Sequence, residues 1–224
     1  MVAINPRAEV KATDIGCWFD EGILTVAVRR NAGRVLDQIH QHTAVTEDAC
    51  WALLLGLLRE HAHDNPIIRL GGYGGIVLAA NAHERTDTRE REAAARIVPF
   101  SWDADGGKLR ADKTPMYSCA GAERVHELQI ALRGKGLIPA VGDESKLVAD
   151  AFAFERALGG GAIHFEHPDI VTRTRQGPPT YALAAMLVLA SPRPLVEPEG
   201  QSLANYDPFA ATGHDPFSYA EKGA

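Results

Sequence analysis

The sequence predicts an α+β domain: an antiparallel or mixed sheet packed against about four helices, with an extended, proline-rich C-terminal arm. Three observations carry this. Gly22–Arg30 is β-branched and alternates Leu24, Val26 and Val28 on one face. Several segments have helix starts followed by apolar stripes. Beyond Ser191, Pro192, Pro194, Pro198, Pro208 and Pro216 exclude regular structure across most of the stretch. Helix-like and strand-like segments come in blocks, which argues against a doubly wound sheet. Residues 1–191 read as one globular domain and 192–224 as the arm.

In chain order, the strand Gly22–Arg30 leads to a turn at Asn31-Ala32-Gly33, and Arg34–Thr43 fits either a helix or a returning strand. Thr46-Glu47-Asp48 starts a helix, with a threonine cap and two acids at the positive end of the dipole. Its apolar residues, Trp51 to Leu58, run nearly all round and predict a central buried helix ended by Asn65-Pro66. Ile67–Leu70 and Gly75–Ala80 read as strands around the loop Gly71-Gly72-Tyr73-Gly74-Gly75. Asp87–Arg96 is an exposed helix with i,i+4 charge pairs, closed by Pro99, and Trp102–Thr114 is a polar loop.

Ser118 caps a helix to Arg133, with Val125, Leu128 and Leu132 inward and Gly134 at its end. Asp143 caps another, marked by Leu147, Ala151, Phe154 and Leu158 and stopped by Gly159–Gly161. Ala162–Glu166, Asp169–Arg175 and Thr180–Ala190 read as strands, the last two forming a hairpin about Gln176–Pro179. Tyr181–Ala190, apolar on both faces, is an interior strand neighbouring the Ala49–Leu58 helix.

Of 224 residues 46% are hydrophobic and 23% charged, which suits a chain with a real core. A net charge of -6 excludes a generally basic nucleic-acid footprint and leaves room only for a local patch. Cys17, Cys50 and Cys119 are odd in number and form no C-x-x-C, so neither a disulfide framework nor a thiolate zinc site is expected. Reduced thiols imply a cytoplasmic protein. No apolar run reaches the roughly 20 residues of a membrane span, so no membrane partner is expected.

The most chemical stretch is His164-Phe165-Glu166-His167-Pro168-Asp169. On a strand His164 and Glu166 share a face, where an imidazole and a carboxylate suit a divalent metal or acid–base work, with His167 or Asp169 as further ligands. The bland reading is a solvated strand entering a turn. Arg173 and Arg175 would share a strand face and suit nucleic-acid phosphates, an acidic subunit or plain solvation. The pairs His40/His42 and His61/His63 read as structural. The glycine loop lacks GxGxxG order and a following helix, so it reads as a hairpin rather than a phosphate cradle.

No GxSxG, HExxH or Walker motif is present. The first expectation is therefore a non-catalytic assembly subunit, of virion or nucleoprotein type, with no cofactor. Its arm would dock Tyr206, Phe209, Phe217 and Tyr219 on a neighbouring protein subunit in a homo- or hetero-oligomer. The alternatives are a metal-dependent enzyme using His164, Glu166 and His167, and an RNA-binding subunit using Arg173 and Arg175.

Overall fold

The computed structural model describes residues 12–30, 35–82, 88–134, 137, 144–159, 161–175 and 177–189. The arm with Tyr206, Phe209, Phe217 and Tyr219, the Asn31–Gly33 turn, and the caps predicted at Asp87 and Asp143 lie outside the described residues.

Strand β1 (Thr13–Asp20) pairs in full register with β2 (Ile23–Arg30), from Thr13↔Arg30 to Asp20↔Ile23. Two residues join them, Glu21 and Gly22, both at positive φ, which matches the twist of a tight hairpin. β3 (Gln38–His42) adds antiparallel to β2, resolving the ambiguous Arg34–Thr43 as strand. Helix α1 (Glu47–Glu60) starts as predicted, with the Thr46 hydroxyl accepting the Ala49 N–H at 3.2 Å. It crosses over to β4 (Ile67–Gly71), parallel to β1. After α2 (Tyr73–Ala82) and α3 (Thr88–Ala94), β5 (Ile97–Pro99) pairs parallel to β4. The mixed sheet has the order β3-β2-β1-β4-β5.

The second half supplies α4 (Ala120–Arg133), α5 (Glu144–Ala151), a hairpin of β6 (Arg156–Gly159) and β7 (Ala162–Phe165), then α6 (Pro168–Arg175) and α7 (Thr180–Leu189). The fold is α+β as predicted, with seven α-helices among the described residues where about four were expected.

Each sheet face has its own core. Ile15, Cys17, Phe19, Val26, Ile68 and Leu70 meet Cys50, Trp51 and Leu54 of α1 and Leu78 of α2. On the other face Trp18, Ala27 and Ile39 meet α7, which is itself covered by α4 and α5. Gly16 lets α7 press on β1: a Cβ there would overlap the Ala184 carbonyl oxygen and lie 2.9 Å from the Leu187 Cβ. The same face buries Asp14 between two arginines, Arg29 at 3.1 Å and Arg69 at 3.4 Å.

Five expectations are corrected here. Tyr181–Ala190 is not an interior strand: Thr180–Leu189 is a helix buried from Ala182 to Val188, and burial all round erases the periodicity that separates helix from strand. It is not a neighbour of α1 either, because the sheet stands between them. Gly75–Ala80 lies within α2, entered through Gly72 at φ +86. Asp169–Arg175 is helix α6, with Pro168 at its first position, where its fixed φ fits and no N–H is missed. The cap of α4 is Cys119, whose sulfur accepts the Ala122 N–H at 3.4 Å, rather than Ser118.

Candidate functional site

In open sheets, ligands bind outside the carboxyl ends of strands where the chain order reverses. β1 is that strand. The hairpin partner β2 lies on one side and the crossover partner β4 on the other, with Trp18 opposite Gly71 at their shared end. The crevice edge is therefore built from Trp18-Phe19-Asp20 and Gly71-Gly72-Tyr73-Gly74. Gly72 is required there twice over: its φ is positive, and a Cβ would overlap the Phe19 carbonyl oxygen.

Asp20 closes β1 and reaches the start of α2, where its carboxylate accepts the backbone N–H groups of Glu21 and Gly74. Partial burial raises its pKa above the ordinary aspartate value, and the negative charges of Glu21 and Asp169 add to the rise. Those two N–H groups pull the other way. Asp169 stands in the first turn of α6. Its backbone N–H donates to His167 Nδ1 at 3.3 Å, and its carboxylate lies 3.5 Å from the same nitrogen. The His167 ring sits edge-on to Trp102, which stacks on Phe154 at 5.7 Å. Asp20 thus stands at the N-terminus of α2, and the Asp169 charge adds the smallest part of its rise.

The floor on the α7 side is different. The Trp18 ring covers Gly71 so closely that a Cβ there would lie 2.7 Å from the indole. Thr25, opposite Trp18, buries a hydroxyl without a hydrogen-bond partner among the described residues, and Gln41 donates to the Thr180 hydroxyl at 2.9 Å.

Among the described residues no group of three or more His, Cys, Asp or Glu is placed to hold a metal ion. A caged site of zinc type therefore does not fit. A hard cation of the magnesium or manganese kind takes one or two protein carboxylates and completes its shell with water and substrate phosphate. Asp20, at the end of β1, is one such carboxylate.

The sequence-predicted residues are dispersed. His164 projects from β7 between buried Ile163 and Phe165, as expected, but its Nδ1 shares a hydrogen bond with the Ser118 hydroxyl at 2.9 Å. Glu166 follows the strand end, half-buried. His167 and Asp169, named as possible further ligands, face each other at the start of α6, with the His167 ring on Trp102. Arg173 and Arg175 are on a helix, where residues two apart do not share a face; Arg173 is exposed, while Arg175 lies 3.7 Å from Asp150. His40 and His42 share an exposed face of β3. His61 is buried at the α1 terminus. His126 meets the Tyr117 hydroxyl at 3.0 Å, and burial, reinforced by Arg156, Arg133 and Lys108, lowers its pKa to about 4.

Asp20 was missed from the sequence. Its signal was the glycine loop: the helix whose absence argued against an anion cradle is present as α2.

No protein-family model matches the sequence, and neither does any curated protein. Solved structures do match. A mutant nuclease domain of the large terminase subunit of bacterial virus Sf6, with manganese, superposes with a TM-score of 0.60 at 14% identity, over 81% of this chain and 89% of that one. The same mutant domain with calcium gives 0.57 at 14% identity, over 81% and 89%. The nuclease domain described without a mutation gives 0.57 at 13%, over 82% and 88%.

The chain shares the fold of these domains. This corrects the expectation of a non-catalytic, cofactor-free assembly subunit, which rested on missing local motifs: the fold is one whose solved examples are nuclease domains, some with a divalent ion. Among the described residues no helix is long and apolar enough to cross a membrane.

Proposed function

We propose that this chain is a divalent-cation-dependent enzyme of nuclease type, acting on the phosphodiester backbone of nucleic acid at the crevice between the ends of β1 and β4. One observation carries the reading: Asp20 ends the central strand over the start of α2, where this sheet order places a ligand, and the Asp169 charge reaches it. Asp20 and Asp169 would hold the cation, which when bound supplies positive charge to a phosphoryl oxygen and lowers the pKa of a bound water. His167, fixed by Trp102, orients Asp169.

The test is cleavage of labelled DNA and RNA with magnesium, manganese, calcium or EDTA, alongside calorimetric titration with manganese. Cutting that requires a cation, and at least a ~100-fold loss in Asp20→Asn and Asp169→Asn that follows the loss of cation charge stabilisation, supports the proposal. A folded protein that takes up no manganese and cuts neither polymer refutes it.

A further inference from the structure

A net charge of -6 leaves room only for a local basic patch, and the second half of the chain builds one around α4. The Met116 N–H donates to the Lys108 carbonyl, and Met116 and Ser118 pair in turn with Ile163 of β7. β7 carries β6, with Arg156 opposite Phe165. Opposite residues of an antiparallel ladder project to one face, so Arg156 lies on the Phe165 side. There the Phe165 ring meets the His126 ring of α4 at 6.0 Å. Arg133 follows His126 by seven residues, about two turns along the same helix face. Lys108 reaches Glu127 of α4 at 2.6 Å, and Arg124 shares that carboxylate at 2.5 Å.

The charges acting most strongly on the bonded Tyr117–His126 pair are Lys108, Arg124, Arg133 and Arg156, against Glu123 and Glu127. Four cations against two carboxylates leave an excess of two positive charges. Glu123 is buried and accepts the Gly107 N–H at 2.6 Å, and Glu127 is divided between Lys108 and Arg124. Arg133 is exposed, rests on the Phe152 ring at 4.8 Å and has no ion pair among the described residues. The imidazole registers the excess. Burial, then Arg156, Arg133 and Lys108, hold the His126 pKa down at about 4, and Glu127 opposes them more weakly than any one acts. We infer that this face of α4, centred on Arg133 and Arg156, is a second nucleic-acid contact that holds the phosphate backbone. It shares no residue with the proposed cleavage site. Guanidinium forks match phosphate oxygens and position a polymer without reading its sequence. The choice of occupant rests on the nuclease-type reading and adds a positioning surface to it.

The experiment measures binding rather than turnover. A fluorescent DNA duplex with phosphorothioate linkages is titrated with the full chain in calcium, and anisotropy is followed across a salt series. The parent binds, and log affinity falls linearly with log salt. Arg133→Ala and Arg156→Ala each reduce that slope by about 0.9, the loss of one phosphate contact on a duplex. Arg133→Lys keeps the charge and the slope. Arg59→Ala, on α1 across the sheet, keeps the parent slope. All three arginines are exposed, and melting curves check that each variant is folded. An unchanged slope in Arg133→Ala and Arg156→Ala, or an equal drop in Arg59→Ala, overturns the inference; if the parent still cuts with cations, the nuclease-type reading survives. A parent that binds through Arg133 and Arg156 but never cuts keeps the contact and overturns the nuclease-type reading. A parent that neither binds nor cuts overturns both.

Discussion

Replacing Asp14 by asparagine leaves Arg29 and Arg69 facing a neutral amide inside the sheet. Asp14 is fully buried and Arg29 is 1% exposed, so solvent does not reach the pair. Arg29 already keeps Nε and Nη1 without hydrogen bonds among the described residues. Losing the carboxylate costs the charge balance of both guanidiniums, about 3–5 kcal/mol for a broken buried pair. Chemical denaturation of Asp14→Asn checks this. Replacing Asp14, Arg29 and Arg69 together by apolar residues recovers most of the loss, since a dry cluster lacks the desolvation penalty. Asp20 behaves oppositely. Its native pKa is raised above the unfolded value, so ionisation is harder in the folded state. Its contribution is therefore most favourable below the ordinary carboxylate range and falls as pH rises through the raised native value. Asp20→Asn is free of that dependence, so its melting temperature relative to the parent climbs from acid to neutral pH. A constant difference across that range contradicts the assignment.

At the scale of elements, α7 decides whether the two halves cohere. It crosses β1 and β2 and packs on α4 and α5, and it touches β1 where Gly16 has no side chain. Gly16→Ala puts a methyl group into the Ala184 carbonyl, so the helix must lift off the sheet. The expected cost is at the upper end of about 1–3 kcal/mol for overpacking, read as a lowered denaturation midpoint. Gly56→Ala, exposed in the middle of α1 with nothing within 4 Å, is the contrasting control and raises the midpoint, by about 0.5–1 kcal/mol. The same helix shows where sequence reading stops. Elements with local cues were legible: α1 from its Thr46 cap, although it was expected to be buried all round and has an exposed side, α4 from Val125 and Leu128, and β2 from the alternation of Leu24 and Val26. α7 has no wet side, so its Ala-Leu-Met run fitted a buried strand equally well by pattern; its length and scarcity of β-branched residues favoured a helix. β1 carried no prediction because its polar Thr13 and Asp14 are buried along with its apolar residues.

At the scale of the molecule, the candidate site was only partly legible because its parts are far apart in sequence. Asp20 closes the first strand, Tyr73 follows the fourth, and His167 and Asp169 lie near the last two helices. No local motif spans such distances, whereas His167 and Asp169 could be flagged because they neighbour each other in the chain. The sheet order β3-β2-β1-β4-β5 brings the ends of β1 and β4, with Asp20 and Tyr73, to one edge. The position of α7 has a consequence for synthesis. All five strands of the sheet leave the ribosome about eighty residues before the helix that roofs one of its faces. For that interval a greasy surface holding Trp18, Ala27 and Ile39 is open to the cell. The nascent chain must be shielded until its closing segment arrives, and translation that stalls before Thr180 yields a sheet ready to stick to whatever it meets.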